Sequence, residues 1–354
     1  RQFESSELRK QLYYETEGNP FFIIETVNNF KYNGALADIT QNMRDTIRQR
    51  TMLLSSDERT ILDLLSLFFD GASFELLQEL SRKPEYELMD LLDTLMDKQL
   101  ICEKSTPEGV CFQFTHQKIL EYVYSELSMT KRRVFHERVA VCLEQKLTGT
   151  GRDFPVYHRL MYHFERAKNQ KKYLKYCIKY VYTLLNRAHE YYPVVSEGPW
   201  IGAAGRLSPD SEDNSGISGL LQRIEELVKA NEGSFDQQDR QDYLSDYYHM
   251  MGRYYIRVAD YDRGLSYIQK LVEFNQSIDS EQCRKNLVKA NRQKICVYMN
   301  RYEPESMREL VQSSIQLLTG HSKPEEMAIW NRLQGMNDIM TGDLADSQQQ
   351  FVQA

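Results

Sequence analysis

The chain has 354 residues, 41% of them hydrophobic and 27% charged, with a formal net charge of -7. That length suits two or three domains, and the acidic balance does not favour nucleic acid as a partner. Six cysteines without a C-x-x-C pair point to neither a zinc site nor a disulfide framework, which fits a reducing cytoplasm; no apolar run approaches the roughly 18 residues of a membrane span.

The sequence begins at Arg1, already inside a helical pattern, and stops at Ala354 in the middle of a repeat, so a fragment of a longer protein is expected. From Ser5 to Tyr14 the pattern is helical, and Glu17-Gly18-Asn19-Pro20-Phe21 follows. Gly18 suits a helix C-cap, Asn19 before proline is pushed out of the helical region, and Pro20 can open the next helix, expected to run to about Tyr32. The plain reading is a tight helix-to-helix turn. Asn42 to Arg50 reads as a short helix, ending in Arg48-Gln49-Arg50.

Ser55-Ser56-Asp57-Glu58 has the form of a capping box, and Ile61, Leu62, Leu64, Leu65 and Phe68 follow at helical spacing. Phe74, Leu76, Leu77 and Leu80 give a second short helix. Pro84, placed in the first turn, opens a third that carries Leu88, Leu91, Leu92, Leu95 and Met96 to about Gln99. The period then changes: Leu100 to Glu103 and Val110 to Thr115 read as strands joined across Thr106-Pro107-Glu108-Gly109. Three helices followed by a hairpin make a winged helix. Cys102 and Cys111 lie on its two strands, either facing each other across the hairpin or, the plainer reading, as two buried thiols. The third helix carries Glu85, Glu87, Asp90, Asp93 and Asp97 against the single base Lys98, so contact with DNA through it is not expected.

The hairpin leads into Phe114-Thr115-His116-Gln117-Lys118-Ile119-Leu120. A histidine at the start of a helix lies beside free backbone N–H groups, where anions are favoured, and its ring can add a donor; the same position suits a helix cap or a core hydrogen bond. Ser128-Met129-Thr130 caps a further amphipathic helix containing His136, read as structural.

The run at His116 resembles the Met-His-Asp-type motif that begins the helix after the wing in STAND-class ATPases. These include the NB-ARC proteins and the large ATP-dependent bacterial transcription regulators. The resemblance implies that His116 reaches the β-phosphate of bound ADP and holds a closed, inactive state; the motif's aspartate is Gln117 here. Gly18-Asn19-Pro20-Phe21 likewise resembles the Gly-Asn-Pro-Phe turn of the family's small helical domain, which implies a nucleotide-base contact for Pro20 in a turn shaped by Gly18 and Asn19. The turn lies roughly 95 residues before His116 with a winged helix between, as the family order requires. The resemblance also implies an ATPase core upstream of Arg1 that supplies ADP and ATP, and nucleotide-dependent self-association.

From Tyr157 onward the chain is helical and rich in tyrosine. Gly252, Tyr255, Tyr261, Gly264, Ile268 and Leu271 fall on the small and large positions of a tetratricopeptide repeat (TPR), where small residues let paired helices approach. A second copy begins near Trp330, with Gly335 and Gly342-Asp343-Leu344. Asn286 to Leu318 gives a degenerate pair between them, and His158 to Arg187 an earlier one through Ala167-Lys168-Asn169. Residues 193–219 read as a loop in which Trp200 and Ile201 either pin the chain to a repeat groove or mark a partner site. Trp200, Tyr248 and Tyr255 are the candidate partner contacts.

The expected architecture is therefore mainly α. Residues 1–50 end a small helical lid domain, 51–150 form the winged helix, and 151–192 the first helical-repeat pair. A linker spans 193–219, and TPR-like repeats fill 220–354. No phosphate-binding loop, H-E-x-x-H, nucleophile elbow or dinucleotide fingerprint occurs, so neither catalysis nor a bound metal is expected of this stretch. The function implied is the sensing portion of a cytoplasmic, ATP-dependent transcription regulator whose repeats take a protein or small-molecule inducer. The alternative is a non-nucleotide scaffold that binds a protein in its repeat groove, and a third reading is direct DNA binding by the winged helix, against which the acidic third helix speaks.

Overall fold

The computed structural model describes residues 6–33, 39–106, 109–186, 213–231, 233, 243–276, 280–318 and 324–353. It is mainly α-helical with one small antiparallel sheet, and it divides into two compact units. The first comprises Arg1–Leu147 with Tyr162–Asn169, and the second Thr148–Met161 with Gln170–Ala354.

In the first unit α1 (Ser6–Thr16) stops because Glu17 and Gly18 both adopt left-handed backbone, with φ of 50° and 76°. The Glu17 amide then donates to Tyr13 O at 2.7 Å and the Asn19 amide to Thr16 O at 3.0 Å, satisfying the last carbonyls of the helix. Pro20 opens α2 (Pro20–Asn33), whose missing N–H costs nothing at that position. In α3 (Gln41–Thr51) the cap Thr40 accepts from Met43 N and donates to Glu25, which ties α3 back to α2.

The capping box at α4 (Ser56–Leu65) is present in both directions: Ser55 Oγ accepts from Glu58 N, and Glu58 Oε2 accepts from Ser55 N at 2.6 Å. There follow β1 (Ala72–Ser73), α5 (Phe74–Ser81), α6 (Glu85–Asp97), β2 (Ile101–Thr106) and β3 (Gly109–Phe114). The sheet order is β1-β3-β2, all antiparallel, which is the connectivity of a winged helix. Leu62, Leu65, Leu77, Leu88, Leu92, Leu95, Ile119 and Val123 are buried in its core.

Three local expectations need correction. Pro84 is the N-cap of α6 rather than a first-turn residue. The first hairpin strand continues to Thr106, because pairing with β3 through Thr106↔Gly109 holds Glu103, Lys104 and Ser105 extended although their side chains are exposed. Cys102 pairs with Gln113 and Cys111 with Lys104, so the two thiols are out of register; Cys111 is buried and Cys102 only half so. On α6, Asp90, Asp93 and Asp97 are exposed while Lys98 is bound by Glu58 at 2.5 Å, leaving a carboxylate face unsuited to phosphates.

The hairpin hands over to α7 (Gln117–Glu126), and Ser128 caps α8 (Met129–Gln145). Buried Asp63 on α4 takes Arg59 at 3.1 Å and Lys131 of α8 at 2.5 Å, fixing α8 against the winged helix.

The second unit is a stack of helices. They run α9 (Phe154–Arg166), whose last turn belongs to the first unit, α10 (Gln170–Asn186), α11 (Asp213–Asn231), α12 (Ser245–Arg257), α13 (Tyr261–Gln276), α14 (Glu281–Arg301), α15 (Pro304–Leu318), α16 (Pro324–Thr341) and α17 (Leu344–Gln353). From α12 onward each helix packs on the next, as in a TPR-like array. The small positions are real close approaches. A Cβ on Gly252 would fall 2.5 Å from Ile268 Cδ1, and one on Gly264 would fall 3.0 Å from the Ile256 backbone nitrogen. Among the described residues no helix is long and apolar enough to cross a membrane.

Candidate functional site

The turn after α1 and the start of α7 meet in the first unit. Asn19 Nδ2 lies 3.1 Å from His116 Nε2, although 97 positions separate the two residues in sequence. On its other side the imidazole faces Glu17, with His116 Nδ1 3.3 Å from Glu17 Oε2. The same carboxylate oxygen accepts the Gln117 amide at 3.0 Å, so it serves the first free N–H of α7, where an anion is favoured. Phe22, buried at the start of α2, meets the imidazole edge-on at 5.6 Å.

The network fixes the tautomer of His116. Asn19 Oδ1 accepts from the Phe21 amide at 3.0 Å and the Phe22 amide at 3.3 Å, capping α2, so the amide nitrogen of Asn19 must point at the imidazole. Nitrogen Nδ2 is only a donor, so His116 Nε2 accepts, and the neutral ring carries its proton on Nδ1 and donates it to Glu17. Both ring nitrogens are engaged. The histidine nonetheless stays within reach of solvent, with its side chain 27% exposed and that of Glu17 46% exposed.

The structure thus gathers Gly18, Asn19, Pro20 and His116 at one corner. Gly18 shapes the turn, since a Cβ there would press on the Tyr13 ring at 3.1 Å and its φ is positive. Pro20 lies exposed beside Asn19. Two neighbours were not singled out from the sequence. Glu17 has no periodic or motif signal, and only its place in the turn could have drawn attention. Lys118 is buried, its ammonium 3.1 Å from Glu121, directly after the His116-Gln117 pair.

The other candidates are not brought to this corner. Tyr248 is half-buried against Tyr247 and Phe274, and Tyr255 stacks on Tyr267 at 5.7 Å with the Arg263 guanidinium 4.1 Å above it. Both rings therefore serve the packing of α12 on α13. Trp200, Ile201 and the rest of 193–212 lie outside the described residues, whereas 213–219, expected in the linker, are the start of α11. Beside Tyr248, His249 is buried and neither ring nitrogen has a hydrogen-bond partner; burial, with Arg253, Lys289 and Arg292 adding like charge, pushes the imidazole well below its usual range. Among the described residues no group of three or more His, Cys, Asp or Glu could hold a metal ion.

No family model matches the sequence, and no curated protein matches it. Among solved structures the chain is similar to a Signal Transduction ATPase with Numerous Domains (STAND) protein with a tetratricopeptide repeat sensor from Pyrococcus horikoshii. The identity is 15% and the TM-score 0.47, over 100% of this chain and 52% of that one. The chain thus spans about half the length of the protein it matches.

Proposed function

We propose that this chain is the regulatory and sensing portion of a STAND-type, ATP-dependent transcription regulator, with the ATPase core elsewhere in the same protein. In the resting state ADP would be held between that core and this corner, with His116 toward the phosphates and exposed Pro20 toward the base. The observation that carries the reading is the 3.1 Å contact between Asn19 and His116. It joins the two stretches that separately resemble the family's nucleotide contacts.

The residues present fit such a group. An oxyanion, the carboxylate of Glu17, already sits on the first amide of α7 and beside His116 Nδ1, so the corner is chemically a seat for oxyanions. A nucleotide phosphate would take this seat by displacing the Glu17 carboxylate, with which it shares the sign of its charge. Because Asn19 occupies His116 Nε2 and that nitrogen is an acceptor, a phosphate contact there requires the amide to turn away, which also loosens the cap of α2, and the nitrogen to take up a proton. Occupancy of the corner and the geometry of the turn are coupled through one side chain. Inducer binding on the helical repeats, whether small molecule or protein, would favour release, exchange for ATP and self-association. That coupling requires the inducer to bind the open and closed states with different affinity.

The test uses the complete protein, purified without added nucleotide, denatured and analysed by ion-exchange chromatography. Near-stoichiometric ADP in the wild type, with loss of retention and raised basal activity in His116→Ala, is the expected result. Unchanged retention in the variant refutes the sensor role.

A second reading has one observation in its favour. Glu17 and Asn19 already satisfy every hydrogen-bonding position of His116, so the corner also serves as a plain lock between α1, α2 and α7 within a protein-binding scaffold. A complete protein that carries no nucleotide and takes up no ADP when offered it leaves this account standing.

A further inference from the structure

Alternate helices of the second unit differ in charge. The three helices α10, α12 and α14 together hold twelve Lys and Arg against two acids, Asp246 and Glu281. The helices α11, α13 and α15 hold five bases against seven acids. Because α10 packs on α12 and α12 on α14, a chain of net charge -7 gathers its bases in one layer of this unit.

Spacing puts these bases on matching faces. Lys171, Lys175, Lys179 and Tyr182 recur every three or four residues along α10, as do Lys285, Lys289 and Arg292 along α14. Side chains from all three helices meet: the Lys289 ammonium lies 5.6 Å from the centre of the Tyr182 ring, and that ring lies 5.5 Å from the buried imidazole of His249 on α12. Two other bases of α14 turn away from this face, Lys294 donating to Gln269 and Arg301 pairing with Asp262, both on α13. The charge felt at the meeting point is positive, since burial and the like charge of Arg253, Lys289 and Arg292 push His249 well below its usual range. Lys175, Lys179, Tyr182 and Lys289 are half-buried and Lys285 is exposed, so the stems pack while the charged ends reach solvent.

We propose that the layer formed by α10, α12 and α14 is a docking surface for an acidic, extended peptide segment of a protein partner, with Lys175 and Lys179 along one side and Lys289 on the other taking its carboxylates. Charge complementarity decides the occupant. Lys171 and Lys179 lie about 12 Å apart along α10 at about 1.5 Å per residue, the length of about four extended residues at about 3.3 Å each. Nucleic acid fits less well. A duplex carries one phosphate charge per about 1.7 Å and runs on past the layer to the acids of the neighbouring helices, whereas a short peptide ends at its edge. The proposal rests on the reading of the repeats as a partner-binding arm, and it needs no nucleotide, so loss of ADP retention and loss of peptide binding are separate outcomes.

The probe is fluorescein-labelled hexaglutamate, titrated into the 354-residue chain without nucleotide and followed by fluorescence anisotropy, with hexaglutamine as its uncharged isostere and oligothymidylate as a competing polyanion. Hexaglutamate is expected to bind saturably and more weakly as salt rises, and hexaglutamine not to compete. Lys289→Gln should weaken binding about two- to fivefold, and Lys175→Gln combined with Lys179→Gln at least as much. Lys270→Gln, at an exposed base on α13, should leave it unchanged. Thermal melting shows which variants fold; the changes lie on different helices, so if one protein unfolds the other decides alone. No saturable binding, equal binding of hexaglutamine, tighter binding of oligothymidylate, unchanged affinity in the deciding variant, or an equal loss in Lys270→Gln overturns the proposal.

Discussion

Buried His136 gives the first unit a defined response to acid. Its Nδ1 lies 2.8 Å from Nδ1 of His163, and its Nε2 lies 3.1 Å from the Tyr124 hydroxyl. One proton serves each of these hydrogen bonds while His136 is neutral; a second proton on its ring would make both nitrogens donors. Burial, with Arg166 and Arg132 as nearby like charges, lowers its pKa from 6.5 to about 4. The folded state therefore binds a proton less readily than the unfolded chain, so the stability contribution is complete above pH 6.5 and is lost as pH falls toward about 4. A shift of that size corresponds to about 3 kcal/mol in full, at 1.36 kcal/mol per pH unit, and to about 2 kcal/mol between about pH 8 and about pH 5. The assay is urea unfolding of the wild type and His136→Gln at both pH values, read by the near-UV signal of the first unit. His249 makes its own acid-sensitive contribution in the second unit, so the comparison between variant and wild type isolates His136. The variant is expected to be less stable near pH 8 but to lose about 2 kcal/mol less on acidification. An identical pH dependence in the two proteins would refute the assignment.

Two further perturbations test the packing and the corner. Gly264→Ala drives its methyl group to 3.0 Å from backbone at Ile256, which cannot yield, whereas Gly252→Ala meets mainly the flexible end of Ile268. Both overpack the contact, by about 1–3 kcal/mol, partly offset by the better helix propensity of alanine, and urea midpoints should place Gly264→Ala as the more damaging. Asn19→Ala removes the cap on the Phe21 and Phe22 amides and frees His116 Nε2; it should cost about 1 kcal/mol of stability by chemical denaturation and shift the His116 ring signals in NMR.

Elements with strong local signals were legible in the sequence. Ser55 and Glu58 announce a capping box because both halves of it lie within four residues, and Gly252, Gly264 and Gly335 mark close helix approaches, tightest at the first two, where a Cβ would fall under 3 Å from a neighbouring side chain. The strand β1, two residues long, has too little sequence to show a period; it exists because Ala72 and Ser73 find Phe112 and Cys111 across the sheet. Exposed Glu103 to Ser105 lack the alternation of a half-buried strand, which hid the end of β2. At the candidate corner the residue types were legible and the partners were not. Glu17 reaches His116 across 99 positions, and nothing local distinguishes it from any solvated glutamate.

Two polar groups differ in how the chain satisfies them. At the His116 corner every hydrogen-bonding position of the imidazole is already taken by the chain, through Asn19 and Glu17. A ligand there would have to compete with internal partners, and displacing Asn19 would also disturb the cap of α2. At Asp338 of α16 one carboxylate oxygen has no internal partner, and Arg308 and Asn337 are held by their own partners. That oxygen is also closed to solvent, so the cost of its missing donor is borne by the fold itself. The polar groups of the corner are mutually latched, whereas the acceptor on α16 is simply unmatched, so only the first forms a network.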